Sequence, residues 1–532
     1  LPPGQGGIAA GSELYYATDL RPTSTRLAPE QGGRGEIAQA VHQAIQDAGL
    51  HPVYLGPIPT PALTSYALQN HCGSIMVTGS HIPFDRNGYK TNSAKGELLK
   101  SDEAPINARS ELVRQRIYSH AFESSLFDAH GMLKAGSQAL PEPDSRGIAA
   151  YLNRYLDFFP PQALSGLKLA VFQHSAVGRD FLVTLLEQLG AQVFPFGRSE
   201  TFVPIDTEAI DDTLLAEIER SAAPIQQRHG PIDAVVSTDG DSDRPLLLGV
   251  DSAAAPDSSP LRLRFFGGDL VGILVAHYLG ADAVVVPISC NDAIDRSSLA
   301  SVLQPKTRIG SPFVIAGMES ALAQGYKAVC GWEANGGFLL GSDALRDGRS
   351  LRALPTRDAL LPILAILHQM TAFGCSMTHL FGQLPHRYSR AALLRRFPRA
   401  TSLKIVEAFS PDDPRIKEVR WTRPDLLEAL DTQGSLLELD PTTRTKLQSI
   451  PTRLADFFRP ADGFAQVQRA NFVDGVRLSF PNGDVAHVRP SGNADELRIY
   501  AVADTQERAD AIASLGIAEP MGILRSLAQQ LG

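Results

Sequence analysis

The sequence predicts an α/β chain with largely parallel sheets, closed by a smaller α+β portion. Three observations carry this reading. Short apolar runs that end in turn residues alternate with helical patterns at least three times along the chain. Helical patterns in these rounds close on glycines, Gly49 and Gly190, with the next extended run a residue or two on. The last hundred or so residues (counted roughly) abandon this rhythm for a hairpin signal.

Taken in order, Ile37, Val41, Ile45 and Ala48 recur at helical spacing, and Gly49 stands where a helix commonly stops. An extended His51–Leu55 and the turn-rich GPIPTP follow. Ser74–Val77 reads as a short buried strand that runs into TGSHIP. Leu167–Phe172 begins the next round. It continues as a helix carrying Phe181, Leu182, Leu185, Leu186 and Leu189, stops at Gly190, and resumes as a strand over Gln192–Phe196. Asp233–Ser237 reads as another strand. A third round pairs a helix over Leu270–Leu279 with a strand over Ala283–Ile288. Near the end, Val476–Phe480 and Val485–Val488 flank PNGD, whose Asn-Gly suits a type I′ turn; a strand over Leu497–Val502 and a helical segment follow. Breaks are expected near Pro141–Arg146, near Pro287–Asp292, and between Pro385 and Pro414.

Composition excludes several classes. The chain has 532 residues, 43% hydrophobic and 20% charged, which suits several ordinary cores and not wholesale disorder. Its net charge of −9 lacks the footprint of a general nucleic-acid binder, so any anionic ligand needs a local basic cluster. Cys72, Cys290, Cys330 and Cys375 lie far apart and form no CxxC, so they read as reduced thiols. The longest apolar run, Leu360 to Leu367, is too short to span a bilayer and reads as a core helix. LPPGQGG at the start shows no signal-peptide pattern. The expected location is the cytoplasm, with no membrane partner; the oligomeric state is open.

Four constellations can carry chemistry. Thr78-Gly79-Ser80-His81-Ile82-Pro83 follows a strand, so the Ser80 hydroxyl lies at the carboxyl end of a sheet, where open α/β sheets hold ligands. A serine needs activation or a phosphate to act, and His81 and Lys90 are nearby proton carriers. The plain alternative is a polar turn. Next, Asp239, Asp241 and Asp243, followed by Arg244, form an acidic loop after a strand. Three alternating carboxylates suit a hard cation such as Mg²⁺. An EF-hand fails here, because Arg244 and Val250 stand where Gly and Glu are required. A solvated acidic loop is the remaining rival. Third, Glu333 and Asn335 lie among glycines in GWEANGG and suit vicinal sugar hydroxyls, unless this is a simple hairpin. Fourth, Arg489-Pro490-Ser491-Gly492-Asn493, with Arg498 on the next strand, suits an anion nest, unless it is a plain turn.

In this order, these motifs resemble the α-D-phosphohexomutase superfamily, and within it the phosphomannomutase/phosphoglucomutase branch, over nearly the whole chain. TGSHIP is similar to the family's TASHNP-like phosphoserine loop, DGDSDR to its metal loop, GWEANGG to its sugar loop and RPSGN to its phosphate loop. Tyr16-Ala17-Thr18-Asp19-Leu20-Arg21 resembles the segment whose arginine faces the catalytic centre. There are departures: Gly79 for the usual Ala, Ile82 for Asn, Asn335 for Ser, Gly337 for a frequent His, and Ser311 where a His often follows Gly310. They bear on sugar preference more than on phosphoryl chemistry.

The resemblance implies three similar mixed α/β domains with largely parallel sheets plus a C-terminal α+β domain around a central cleft. The expected divisions are 1–145 with the phosphoserine loop, 146–286 with the metal loop, 287–395 with the sugar loop and 396–532 with the phosphate loop. It implies an isomerase that interconverts hexose 6-phosphate and hexose 1-phosphate, mannose preferred, through phosphorylated Ser80 and a hexose 1,6-bisphosphate. Mg²⁺ would be shared by the Ser80 phosphate, Asp239, Asp241 and Asp243. Arg21 and Arg244 would neutralise the moving group, with Lys90 and His81 at the reacting oxygens. Glu333 and Asn335 would read the sugar, and Arg489, Ser491, Gly492, Asn493 and Arg498 would hold the far phosphate. The alternatives are a phosphoglucomutase or dual-specificity mutase and, from another class, a magnesium-dependent sugar-phosphate phosphatase. A sugar-phosphate binder without catalysis would not need Ser80.

Overall fold

Leu14, Tyr15, Tyr16 and Ala17 are all buried, so the strand Glu13–Thr18 is covered on both faces, as a central strand must be. It pairs in parallel with His51–Pro57 on one side and Ser74–Val77 on the other. The sheet then continues antiparallel through Tyr89–Ser93 and Gly96–Glu97. The computed structural model describes residues 8–25, 27–28, 33–134, 139–208, 210–250, 261–423, 426–491 and 495–531. These separate into two compact units. One comprises Leu1–Val284 with Ser311–Phe381, the other Val285–Gly310 with Gly382–Gly532.

The first unit repeats its opening pattern. Lys168–His174 lies between Ala234–Thr238 and Gln192–Arg198, parallel to both, and Pro245–Val250 and Leu263–Phe265 extend that sheet antiparallel. A third sheet runs Ala283–Val285, Val329–Trp332, Phe338–Leu340, Leu354–Asp358, with Phe338–Leu340 antiparallel to the strand on either side. The amphipathic helix Glu36–Asp47 buries Ala38, Val41 and Ile45, and Gly49 takes the left-handed φ of 72° that ends it. Helices Gly268–Leu279 and Leu360–Phe373 are apolar nearly all round and buried accordingly. The expected strand from Ala283 stops at Val285; Pro287, which has no N–H to offer a ladder, makes only an isolated bridge to Thr307.

The second unit is built on a seven-stranded sheet. Its order is Tyr388–Arg395, Glu496–Ala503, Val485–Pro490, Val476–Ser479, Arg469–Asn471, Glu418–Arg423, Leu426–Leu430, antiparallel throughout. The Asn-Gly hairpin forms, with Ser479 opposite Val485, but its turn is not type I′: Gly483 takes a left-handed φ of 87° and Asn482 does not, and Gly483 N donates to the Phe480 carbonyl at 3.0 Å. Helices Arg399–Ala408, Pro441–Leu454, Gln506–Ile517 and Ile523–Leu531 contribute Ile405, Leu447, Ile450, Ile512, Leu524 and Leu527 to one core with the sheet. Mixed α/β layers followed by an α+β portion are thus the observed architecture. Among the described residues, no helix is long and apolar enough to cross a membrane.

Candidate active site

Ser80 follows the strand Ser74–Val77 in a loop whose shape is imposed by Arg21. The Arg21 guanidinium is fully buried. Its Nε donates to Asp19 Oδ2 at 3.0 Å, its Nη1 to the carbonyls of Pro83 (2.7 Å) and Arg86 (2.9 Å), and its Nη2 to those of Ser80 (2.8 Å) and Ile82 (2.7 Å). Phe202 stacks 3.9 Å from it. Those five N–H···O bonds use all five donors of the group. Arg21 was expected to neutralise a moving phosphoryl group; its donors instead hold the loop that carries Ser80. Gly79, a departure from the family pattern, follows from the same packing. A Cβ there would lie 2.8 Å from Arg21 Cζ and 2.9 Å from the Arg86 carbonyl oxygen.

Ser80 itself has φ 51°, a left-handed conformation that a serine adopts only when its surroundings enforce it. Its N–H donates to Thr78 Oγ1 at 2.8 Å, and Thr78 in turn donates to Asp19 at 2.7 Å. Ser80 Oγ donates to Asp239 Oδ2 at 2.9 Å and lies 3.5 Å from His81 Nδ1. Burial, then the nearby Arg244 charge, depress His81 to about 4, so its imidazole is neutral at pH 7.

The acidic loop joins Ala234–Thr238 to Pro245–Val250, with Thr238 opposite Pro245. Asp239 Oδ1 accepts the N–H groups of Asp243 and Arg244, each at 3.1 Å, which closes the turn. Asp241 Oδ2 accepts from Thr60 Oγ1 at 2.5 Å and from Lys90 Nζ at 2.6 Å. Asp243 Oδ2 accepts from Lys90 Nζ at 2.6 Å and Arg357 Nε at 3.1 Å. Asp241 Oδ1 and Asp243 Oδ1 are buried with no hydrogen-bond partner. One oxygen from each of the three carboxylates lies within 4.8 Å of the others. Burial, and then repulsion from Asp241 and Asp243, raise the Asp239 carboxyl well above its ordinary range. Burial also works against charge on Asp241, but Lys90 and Thr60 outweigh it and hold that group below the usual range. Two orphaned buried oxygens in a crowded all-oxygen donor set fit a hard divalent cation. Arg244 borders the loop, 3.7 Å from Asp243 and 3.9 Å from Asp239.

Glu333 and Asn335 occupy the turn between the antiparallel strands Val329–Trp332 and Phe338–Leu340, so the glycine-rich segment is a hairpin as well as a candidate sugar loop. Both are buried. Asn335 Oδ1 accepts from Gly337 N at 2.9 Å, and its carbonyl accepts from Thr207 Oγ1 at 2.8 Å. The amide oxygen therefore shapes its own turn. Trp332 Nε1 anchors the strand to the Asp269 carbonyl at 3.1 Å. Ser80, His81, Lys90, Arg244, the three aspartates and Glu333 are all brought together within the first unit.

The phosphate-loop residues belong to the second unit. Arg489 and Arg498 face each other directly across the strands Val485–Pro490 and Glu496–Ala503. Like charges so placed repel, and each is met by an acid: Asp474, 3.1 Å from Arg489 Nε, and Glu496, 3.0 Å from Arg498 Nη2. Ser491 N donates to the Glu496 carbonyl at 2.9 Å. Gly492 and Asn493 lie outside the described residues.

Comparison with known proteins supplies the family. Models of phosphoglucomutase/phosphomannomutase domains match in three places: α/β/α domain I at residues 33–115, α/β/α domain III at 267–388 and the C-terminal domain at 438–515. A phosphomannomutase of Sinorhizobium fredii is 36% identical over 97% of this chain and 91% of its own length. The chain belongs to the phosphoglucomutase/phosphomannomutase family. A phosphomannomutase of Salmonella muenchen is 35% identical over 93% of this chain and 85% of its own length. In fold, a Thermus thermophilus protein described as a putative phosphomannomutase matches with a TM-score of 0.57 at 18% identity, over 94% of this chain and 88% of that one.

Two site residues of this family member carry no motif. Thr60 opens the helix Thr60–Gln69 and reaches Asp241. Arg357 lies in the strand Leu354–Asp358 and bridges Asp243 to Glu333 Oε2, 3.3 Å away. The alternation of LPTRD marks a strand but gives no hint of that bridge.

Proposed function

We propose that this phosphohexomutase interconverts mannose 6-phosphate and mannose 1-phosphate, with glucose phosphates as poorer substrates, through phosphorylated Ser80 and a bound 1,6-bisphosphate. The observation that carries the reading is the Ser80 Oγ–Asp239 contact of 2.9 Å at the edge of the three-carboxylate cluster. The two relatives named as phosphomannomutases, which match along nearly the whole chain, support mannose.

In the forward half-reaction, the bond between phosphorus and Ser80 Oγ breaks and a new bond forms to the free hydroxyl of the hexose monophosphate. Lys90 would give a proton to Ser80 Oγ and recover one from the attacking hydroxyl, so charge and protons balance. The bisphosphate then turns end over end, and its other phosphoryl group returns to Ser80 by the reverse exchange. Asp239, Asp241 and Asp243 would hold Mg²⁺, which when bound supplies positive charge beside the transferring oxygens. Arg244 would add charge from the protein side. Arg21 would fix the position of Ser80 through its backbone. Glu333, with Asn335 shaping the turn, would read the sugar hydroxyls. Arg489, Ser491, Gly492, Asn493 and Arg498 would grip the phosphate that is not reacting, and a mutase needs that grip in both substrate orientations.

This scheme keeps one motif to each part of the chain, with the divisions at 145 and 286; the expected division at 395 moves to before Tyr388, because the strand Tyr388–Arg395 pairs along its length with Glu496–Ala503. Its small-molecule partners are hexose phosphates, with hexose 1,6-bisphosphate as activator. The test is kcat/KM on mannose 1-phosphate, glucose 1-phosphate and glucosamine 1-phosphate. A mannose value below that for glucose overturns the preference. Release of inorganic phosphate faster than isomerisation would instead identify a phosphatase.

A further inference from the structure

The backbone of Glu333 is fixed by its hairpin turn: its N–H donates to the Gly337 carbonyl at 3.2 Å, and its carbonyl accepts from Gly336 N at 2.9 Å. Its carboxylate is fixed by something else. Among the described residues, Arg357 Nη1, at 3.3 Å from Oε2, is the one protein donor to that group. A glutamate side chain has several rotatable bonds, so a turn that holds its Cα does not by itself aim its oxygens. The same guanidinium donates through Nε to Asp243 of the acidic loop.

The seat of Arg357 is built for it. Gly337 lies under the aliphatic part of the side chain; a Cβ there would stand 2.5 Å from Arg357 Cδ and 2.6 Å from its Cγ. No side chain fits at 337 unless Arg357 leaves. The strand is also held at the preceding residue, where Thr356 Oγ1 donates to Glu97 Oε1 at 2.5 Å while Ser311 Oγ donates to Glu97 Oε2 at 2.6 Å. The chain thus departs from the family pattern at Gly337 in the very place that makes room for an arginine from a neighbouring strand.

We infer that Arg357 is a positioning residue that sets sugar discrimination, by holding the Glu333 carboxylate in one orientation and tying it to Asp243 of the acidic loop. The inference rests on the reading of Glu333 as the sugar contact. A planar guanidinium suits the task because two N–H groups in one rigid plane fix two carboxylates relative to each other. An ammonium is a point charge and would satisfy the nearer carboxylate without orienting the other. The bland alternative is that Arg357 only offsets the negative charge of the cluster, and a lysine would do that equally well.

The experiment measures KM, kcat and the ratio of kcat/KM for mannose 1-phosphate over glucose 1-phosphate. It compares Glu333→Gln, Arg357→Lys, Gly337→Ala and the double variant Glu333→Gln/Arg357→Lys. Arg357→Lys and Gly337→Ala are expected to raise KM about tenfold, the scale of one lost charge-assisted hydrogen bond, with kcat moving less. Both should shift the sugar ratio in the direction of Glu333→Gln. The double variant should discriminate no worse than Glu333→Gln alone, because Arg357 acts through that carboxylate. If Glu333→Gln shifts the ratio while Arg357→Lys keeps the wild-type KM and ratio, charge alone suffices and the inference is overturned. If Glu333→Gln itself leaves the ratio unchanged, the sugar reading of Glu333 fails and the inference falls with it. Should Arg357→Lys not fold, Gly337→Ala, which retains the arginine but displaces it, decides the matter by the same criteria.

Discussion

Arg21 Nη2 donates to the carbonyl oxygen of Ser80 at 2.8 Å, so the arginine grips the backbone of the residue that carries the reacting hydroxyl. Arg21→Lys keeps the charge but loses the five-donor fork that spans four carbonyls and Asp19. We expect kcat to fall at least about a hundredfold, as misplacement of a reacting group allows. Arg21→Ala also strands the buried Asp19 and should lose about 3–5 kcal/mol of stability. Urea unfolding and kcat measured on both variants check this. Wild-type kcat in Arg21→Lys would show that the loop does not depend on the fork.

Ser80→Ala should abolish turnover and phosphate uptake from glucose 1,6-bisphosphate, read by intact mass, while the fold survives. Ser80→Gly should be equally inactive. It should also be more stable than Ser80→Ala by roughly 1 kcal/mol, because the φ of 51° suits glycine. A variant that keeps more than a hundredth of wild-type activity would remove Ser80 from the chemistry.

Exhaustive chelation should stop isomerisation, and Asp241→Ala should weaken it in a way that excess Mg²⁺ partly restores. Asp241 Oδ1 is one of the two orphaned buried oxygens, so its loss removes a donor that nothing else replaces. Full activity in the chelated protein would make the acidic loop structural.

Arg489→Ala should raise KM in both directions by roughly ten- to a hundredfold, the scale of a lost charge-assisted pair to phosphate. Dependence on added hexose 1,6-bisphosphate should appear, since the intermediate escapes more readily. Unchanged KM in both directions would place the far phosphate elsewhere.

His174 offers a pH test read on stability. Burial depresses it to about 4, and its Nε2 donates to the Thr238 carbonyl at 2.8 Å as a neutral ring. The unfolded chain takes up this proton near pH 6.5, before the folded protein does, so stability is full above that pH and falls as pH drops toward 4. Between pH 7 and pH 5 this group should cost about 2 kcal/mol. Urea midpoints at the two pH values should show His174→Gln losing less than wild type by that amount. Equal losses would mean that the ring is already charged when folded.

Ser80, Asp239, Asp241, Asp243 and Glu333 are legible in the sequence because each lies in a run of telling residues just after a buried strand. Periodicity finds the strand, and residue chemistry finds the loop. Thr60 and Arg357 are not legible, since each is a single residue that sheet pairing or helix placement brings to the loops from far along the chain. The Arg21 loop brace is half legible: the residue stands out, but its partners are backbone carbonyls, which no side-chain pattern records. In the second unit the final hairpin, the strand after it and the closing helical segment announce themselves, and little before them does. Tyr388–Arg395 pairs along its full length with Glu496–Ala503, yet most of its residues are only half-buried, so its alternation is weak.

The segment Val285–Gly310 belongs to the second unit although the rest of that unit begins only at Gly382. On the ribosome this has a temporal meaning. Buried Val286, Ile288 and Leu299 emerge long before the sheet of their unit exists. The rest of the second unit, from Gly382 on, is about 150 residues, which at 5–20 residues per second takes roughly 8–30 s to make. For that interval the nascent chain carries an apolar stretch with its partners unmade, while the unit on either side of it in sequence can already close. Newly made chains should therefore be most vulnerable to aggregation and to protease attack within residues 285–310, and a stop codon placed soon after Phe381 should leave that stretch exposed for good.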